Sequence, residues 1–438
     1  MQKFYGRKNE LKILKDLEKR SRTSSQMSVI VGRRRTGKTR LIQKAFSKKK
    51  KVYLFVRKES EKILCQEFKE VIENELTIKI HGSFDKFSEL FAYLVELSRH
   101  ESFTLILDEF QEFFTVNKAV FSDMQNIWDK NKRKTKMNLV LSGSIYTLMK
   151  KIFENSKEPL FGRANRKIHL KPFNVKTLKK IVKENYPKYT NKDLLAFYVF
   201  TGGVAKYVET FVDEGVLTYN KMLKLIFSEN SPFIEEGKNI LIEEFGKEYV
   251  SYFSILGLIA SSRTSRGEIE SILNKNIGGY LDRLENEYNI IKSVKPVFSA
   301  IGSKKQKYFI EDNFLNFWFR FIYKNKSALE IGNFKYVKEI VQRDFTSFAG
   351  LFLERYFRNK LALSKKYSVI GSYWERGNQS EIDIVAVNKI DRKALVVEVK
   401  INENKISIPK LKSKATKLKQ KYFKDYQIRY RGLSLEDM

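Results

Sequence analysis

Residues 28–46, SVIVGRRRTGKTRLIQKAF, restrict the fold more than any other stretch of the chain. They read as a short apolar strand, a glycine-bounded loop and an amphipathic helix. The loop Gly32-Arg33-Arg34-Arg35-Thr36-Gly37-Lys38-Thr39, continued by Arg40, fits G-x-x-x-x-G-K-[ST] at every position. Glycines let the backbone wrap phosphates, and the helix N-terminus offers them free N–H groups. Lys38 is then expected on the β- and γ-phosphates and the Thr39 hydroxyl on Mg²⁺. The bound nucleotide expected here is ATP.

A second stretch agrees with the first. Residues 102–110, SFTLILDEF, form an apolar strand that delivers Asp108 and Glu109 at its carboxyl end. That placement suits the crevice of a parallel sheet. Asp108 is expected in the Mg²⁺ shell, and Glu109 as the group that polarises the attacking water. A further apolar strand, MNLVLSGS, ends in Ser142 and Ser144. A hydroxyl there can sense the γ-phosphate, and either serine can instead open a turn. PLFGRANRKIHLKPF supplies Arg163 and Arg166. Arg163 is the candidate for a charge offered to a neighbouring subunit's γ-phosphate, with a plain surface role as the alternative.

Composition bears on partners. A chain of 438 residues exceeds one ordinary core, so two to four domains are expected. The 84 basic against 51 acidic residues give a net charge of +33, which favours a polyanion, nucleic acid first and anionic membrane second; the nucleic acid expected as partner is DNA. Lysine spread evenly along the chain is the bland account of the same excess. One cysteine, Cys65, excludes an intramolecular disulfide and a cysteine-built zinc site. The start, MQKFYGRKNELKIL, lacks the apolar core of a signal peptide. Residues 252–260 are apolar but too short to cross a bilayer. A cytoplasmic protein without membrane contact is expected.

Residues 176–240 show apolar spacing near that of helices. From about residue 243 the order becomes helix, short helix opened by Ser265 with Glu268 three residues on, third helix, then two short strands. That is the order of a winged helix-turn-helix, whose third helix commonly reads DNA and whose wing touches the backbone. Lys304, Lys305 and Lys307 make the expected wing basic, whereas Asp282, Glu285 and Glu287 put acids on the third helix. DNA contact and a purely packing or dimerising role both remain open for it. The aromatic run of residues 313–325 is too apolar for a surface and reads as core.

The last third reads as helix, strand, hairpin, helix, strand. In the hairpin SEIDIVAVNKIDRKALVVEVK, a turn centred between Ile390 and Asp391 sets the sum of opposed residue numbers. Asp383 then faces Glu398, and Lys400 lies on the same face opposite Glu381. Like charges facing across a strand pair are destabilising unless a cation sits between them. Asp383 and Glu398 are therefore a candidate Mg²⁺ or Mn²⁺ site, with Glu354 from the preceding amphipathic helix as a further ligand.

Two resemblances gather these motifs. FYGRKNEL, the loop, the Asp-Glu strand, LSGS, PLFGR and TGGVAKYV, in this order, resemble the AAA+/STAND-related archaeal-type P-loop ATPase family, also widespread in bacteria. The resemblance covers roughly the first 240 residues. It implies an α/β core with a parallel sheet and a helical lid, ATP hydrolysis, and Gly6 and Arg7 beside the nucleotide base. In TGGVAKYV, Ala205 stands where proline is common and Lys206 where relatives often place a sensing arginine. The C-terminal pattern is similar to the PD-(D/E)xK nuclease superfamily and to the nuclease-like domain that this ATPase family often carries. That implies a restriction-endonuclease-like α/β fold, with Glu354, Asp383 and Glu398 on metal and Lys400 orienting the water.

The expected division is 1–175 ATPase core, 176–242 helical lid, 243–325 winged helix-turn-helix and 326–438 nuclease-like domain. The expected function is an ATP-hydrolysing protein that acts on, or is regulated by, nucleic acid, with metal-dependent cleavage by the last domain. The alternative is an ATP-controlled switch whose last domain does not cleave. Self-association through the ATPase or winged-helix segment fits either.

Overall fold

The structure is a computed structural model that describes residues 3–300, 302–303, 305–375 and 380–438, without the side chains of Glu243 and Lys247. Lys304, read from sequence as part of the wing, lies outside the described residues. The chain divides into two compact units. One is Gly6–Lys171; the other holds Pro172–Met438 together with the start of the chain.

In Gly6–Lys171 five strands form one parallel sheet. They are β1 (Gln26–Val31), β2 (Lys51–Phe55), β3 (Phe103–Asp108), β4 (Met137–Gly143) and β5 (Arg166–His169), in the order β2-β3-β4-β1-β5. β1, β3 and β4 are buried along their whole length. Burial on both faces explains their unbroken apolar runs, where a half-wet strand would alternate. The parallel registers bring the carboxyl ends of β1, β3 and β4 to one edge. Helices cover the sheet, with Leu41 and Ile42 of the helix Lys38–Ala45 fully buried.

Pro172–Met438 opens with five helices between Val175 and Phe245. Asn191–Thr201 starts at a capping box in which Thr190 and Asp193 satisfy each other's backbone N–H. Its φ-positive Gly202 and Gly203 end it, and a Cβ on Gly203 would lie 2.3 Å from the Phe173 carbonyl oxygen.

Next come the helices Tyr249–Ala260 and Arg266–Leu273, then Gly278–Asp282 continued as a π-turn over Arg283–Glu287. β6 (Ile291–Val294) and β7 (Lys307–Ile310) follow as an antiparallel ribbon. The third helix foreseen from sequence is thus short and widened at its acidic end. The capping box foreseen at Ser265 is half made. Ser265 accepts from the Glu268 N–H, while the Glu268 carboxylate turns to Arg263 at 2.7 Å.

The aromatic run is core, as its composition indicated. Phe314, Phe317, Trp318, Phe319 and Phe321 are each 3% exposed or less. It joins a single apolar cluster that includes Phe200, Phe233, Phe253 and Phe352. A helix of 30 residues, Phe334–Leu363, then leads to the second sheet. That sheet holds β8 (Val369–Tyr373), β9 (Ile382–Asn388), β10 (Lys393–Val399) and β11 (Gln427–Leu433), in the order β11-β10-β9-β8. β9 and β10 are antiparallel, whereas β11 runs parallel to β10. Arg355 of the long helix is half-buried and donates to the carbonyls of Ile310 and Glu311 and to Asn313 Oδ1, tying β7 to this helix.

Candidate functional site

The residues expected at the first site converge at the carboxyl edge of the parallel sheet. Gly32 leaves β1 so close to its neighbours that a Cβ would sit 2.8 Å from the Leu170 carbonyl oxygen and 3.0 Å from Thr36 Oγ1. Gly37 takes φ 90°, left-handed backbone that glycine adopts without strain, and starts the helix Lys38–Ala45. The Lys38 ammonium donates to the carbonyls of Gly32 at 2.8 Å and Arg33 at 3.3 Å. Burial pushes the Lys38 ammonium below its ordinary pKa, opposed by the charges of Glu109 and Asp108. A phosphate placed in this loop would restore a full charge partner to Lys38. Arg7 brackets the loop from outside, donating to the carbonyls of Lys171 at 2.6 Å and Thr36 at 3.2 Å. It holds the loop's own backbone rather than facing open space.

Asp108 and Thr39 meet, with Thr39 Oγ1 3.2 Å from Asp108 Oδ2. This is the donor set a hard cation takes: a hydroxyl and a carboxylate beside a phosphate cradle. Two contacts were not foreseen. Tyr53, on β2, donates its hydroxyl to the same Asp108 oxygen, and the Glu109 N–H donates to Asp108 Oδ1 at 3.1 Å. Tyr53 lies three residues before Val56, whose N–H donates to the Asp108 carbonyl at 3.0 Å. Only the register Phe55↔Asp108 reveals that its ring reaches the acid. Burial and this bond push the Tyr53 hydroxyl above its ordinary pKa, so it is a donor at neutral pH.

Glu109 sits at φ 53°, an uncommon conformation for a residue with a side chain. Its Oε2 accepts from Ser144 Oγ at 2.6 Å, Ser144 N–H at 3.2 Å and Gln111 Nε2 at 2.6 Å. Of the two serines on the β4 end, Ser144 therefore meets the acid, while the buried Ser142 hydroxyl has no hydrogen-bond partner. Arg163 is ion-paired with Asp129 at 3.2 Å and donates to the Phe161 carbonyl.

The second candidate site is only partly assembled. Pairing within the hairpin follows the foreseen register, from Lys393↔Asn388 to Val397↔Ile384. It stops one step short of Asp383 and Glu398. Asp383 instead bends inward and accepts the Val399 N–H at 2.7 Å, with Lys400 Nζ 3.5 Å away. Glu398 shares that lysine, its Oε1 lying 3.8 Å from Lys400 Nζ. It accepts the Ser407 N–H at 3.2 Å at the start of the helix Ile408–Lys414, and pairs with Lys414 at 3.1 Å. Against burial, which acts upward, these partners hold the Glu398 carboxyl below its ordinary pKa. Glu354 pairs with Arg358 at 2.7 Å. Burial, with the charge of Asp383 close by, raises the Glu354 carboxyl to about 7.

The three carboxylates expected on one metal lie near one another, Asp383 and Glu398 about Lys400 and Glu354 close to Asp383, but each already has a cation partner within the chain. Among the described residues no group of three or more His, Cys, Asp or Glu side chains is placed to hold a metal ion. The donor set does not fit the second Mg²⁺ or Mn²⁺ as it stands, because a helix N-terminus and Lys414 already satisfy Glu398. Glu354 and Asp383 remain together, on the wall of a cavity of about 430 Å³ that Glu398 and Lys400 do not line.

Comparison with known proteins places these observations. Residues 4–211 match a family described as an ATPase domain predominantly from Archaea, and residues 318–417 match one described as archaeal and bacterial proteins of unknown function. An uncharacterized protein of Methanocaldococcus jannaschii is 31% identical over 406 residues, 91% of this chain and 87% of that protein. Among solved structures, the Walker-type ATPase of Pyrococcus abyssi superposes with a TM-score of 0.56 at 18% identity, over 72% of this chain and 96% of its own. The Aeropyrum pernix ORC2 protein gives 0.48 at 12%, over 75% of this chain and 96% of its own. No helix among the described residues is long and apolar enough to cross a membrane.

Proposed function

The chain belongs to the family of ATPases found predominantly in archaea, and on that premise we propose that it hydrolyses ATP to control how its C-terminal half engages nucleic acid. The observation that carries the first part is the meeting of Lys38, Thr39, Asp108 and Glu109 at one sheet edge. Residues 32–40 wrap the phosphates, with Arg33, Arg34, Arg35, Thr36 and Arg40 flanking them. Lys38 leaves the loop carbonyls for the β- and γ-phosphates, while Thr39 and Asp108 hold Mg²⁺. When bound, Mg²⁺ neutralises charge on the phosphate oxygens. Glu109, released from Ser144 and Gln111, orients the attacking water, and Ser144 reports the γ-phosphate in its place. Gly6 and Arg7 lie toward the base. Arg163 serves a neighbouring copy once it leaves Asp129.

The four functional segments proposed for the chain are 1–175, 176–242, 243–325 and 326–438. Support for nucleic acid as the partner comes from the +33 charge and from the winged-helix order with its β6–β7 ribbon. The non-cleaving reading of the last segment is favoured by one observation: Glu354, Asp383 and Glu398 are each already paired with a cation of the chain. DNA cleavage in Mg²⁺ or Mn²⁺ that disappears in both Asp383→Ala and Lys400→Ala would reverse that preference. ATP turnover by the purified chain, lost in Lys38→Ala, tests the proposal as a whole; turnover that survives this change refutes it.

A further inference from the structure

Residues 405–431 carry ten basic residues and one acid, Asp425, where the whole chain carries 84 against 51. Their lysines are ordered. Lys410, Lys414, Lys417, Lys421 and Lys424 recur at alternating steps of four and three, the spacing that lines side chains along one side of a helix. The structure supplies that helix in two pieces, Ile408–Lys414 and Thr416–Tyr422, joined at Ala415 in helical backbone. Leu411, Ala415 and Leu418 are buried in one apolar cluster with Val385 and Val396 of the second sheet. Lys410, Lys417, Lys421 and Lys424 are exposed. Elsewhere the chain balances helical cations with acids four residues away: Arg22 with Glu18, Lys180 with Glu184, Arg266 with Glu270 and Lys326 with Glu330. Neither of these two helices contains an acid. Like charges at that spacing weaken a helix, and an external anion relieves them.

The wing extends this stripe. The Tyr422 hydroxyl donates to the Phe298 carbonyl at 3.3 Å, and the two rings stack at 4.7 Å. Phe298 lies between β6 and β7, so the contact seats the wing on the helix Thr416–Tyr422. Beside it, charges of both segments converge on Glu375. Lys417 donates to that carboxylate at 2.8 Å and holds it below its ordinary pKa, with the charge of Lys305 acting in the same direction. The two wing lysines divide: Lys307 turns inward to Glu381 at 2.9 Å, whereas Lys305 is exposed. Among the described residues no ion pair engages Lys305, Lys410, Lys421 or Lys424.

This surface suits a phosphate backbone rather than bases or lipid. Holding a single strand by stacking needs open aromatic faces. Here Tyr422 is covered by Phe298, Phe423 is buried, Tyr426 lies against Phe423 at 5.1 Å, and Lys412 lies over Tyr430 at 5.9 Å. Entering a membrane interface needs an exposed apolar face, whereas the exposed residues between the lysines include Ser413, Thr416 and Gln420. What remains is a row of ammonium groups. From Lys410 to Lys421 it runs about 16 Å at the helical rise per residue, along which a duplex presents a phosphate charge every ~1.7 Å of axis. Resting on the nucleic-acid reading above, we propose that the lysine stripe of residues 410–424, extended by Lys305 of the wing, binds the phosphate backbone of duplex DNA without reading its bases.

The test uses the full chain and a fluorescein-labelled blunt duplex, with anisotropy titrations from about 50 to about 200 mM KCl. The logarithm of duplex affinity falls with the logarithm of salt by about 0.9 per phosphate neutralised. Lys410→Gln, Lys421→Gln and Lys424→Gln combined therefore lower the slope by about 2.7, so the wild type loses about 40-fold more affinity than this variant across the salt range. Lys305→Gln, outside the two helices, lowers it by about 1. The same loss of charge at Lys130, Lys134 and Lys136, exposed residues of the ATPase unit, leaves the slope as it is. A slope that the stripe and wing variants do not alter, or that both triple variants lower alike, overturns the proposal while leaving nucleic-acid association intact. A single strand of equal length bound more tightly than the duplex also overturns it. Wild-type binding of neither DNA form, whether or not the chain sediments with phosphatidylserine vesicles, brings down the nucleic-acid reading itself.

Discussion

Replacing Tyr53 by Phe removes one hydroxyl and leaves the ring in place, which makes it a clean probe of the proposed Mg²⁺ acid. In the structure Asp108 Oδ2 takes two donors, Tyr53 and Thr39, while Oδ1 takes the Glu109 N–H. Asp108 as a whole residue is 3% exposed, so water does not replace a lost donor freely. A hydrogen bond to a charged group contributes about 1.5–3 kcal/mol. Thr39 still donates to the same oxygen, so the lower end applies. At about 1.4 kcal/mol per factor of ten, the carboxylate loses about tenfold of its orientation for the cation, in keeping with the 10- to 100-fold typical of groups that steady a metal ligand. The expected outcome is a rise of about tenfold in the Mg²⁺ concentration giving half-maximal phosphate release. Nucleotide binding in EDTA, read with a fluorescent ADP analogue, stays unchanged. An unaltered Mg²⁺ dependence refutes the positioning role. A lowered Mg²⁺ requirement would show instead that Tyr53 competes with the cation for Asp108.

Three other outcomes follow from the same contacts. Ser144→Ala removes one of three donors to Glu109 Oε2, and ATP turnover should change several-fold while nucleotide affinity does not, as measured by steady-state kinetics. Arg355→Met leaves the carbonyls of Ile310 and Glu311 and the Asn313 amide oxygen without their shared donor; urea unfolding should show a loss of about 3 kcal/mol. The raised Glu354 pKa, about 7, means that the folded chain holds a proton which the unfolded chain releases near the ordinary 4.5, so stability falls as pH rises from there through 7. Glu354→Gln should therefore melt at a higher temperature than the wild type at pH 8 and with little difference at pH 5, by calorimetry.

Much of the ATPase half was legible because its chemistry is written locally. The P-loop places Gly32, Gly37, Lys38 and Thr39 within eight residues, and a strand that ends in Asp108-Glu109 carries its own position in the sheet. The β9–β10 register was legible for a similar reason, since one turn fixes every pair behind it. Tyr53 was not legible, because its link to Asp108 depends on which strand lies beside β3. Glu398 misled for a related reason. Hairpin register says which residues oppose, but the helix Ile408–Lys414, beyond the hairpin, gives the Glu398 carboxylate partners that register does not show. Lys307 was read as open to a phosphate backbone, and only its pairing with Glu381 at 2.9 Å reveals that it is engaged within the chain, whereas Lys305 is exposed.

Single-turnover hydrolysis of ATP by the wild type, Lys38→Ala and Glu109→Gln, each paired with a direct nucleotide-binding measurement, tests the central claim most directly. The account predicts turnover in the wild type and loss of ATP binding with Lys38→Ala. Glu109→Gln should bind ATP normally but hydrolyse it about 100-fold or more slowly. Hydrolysis that persists unchanged in Glu109→Gln, or ATP binding that survives Lys38→Ala, would contradict it.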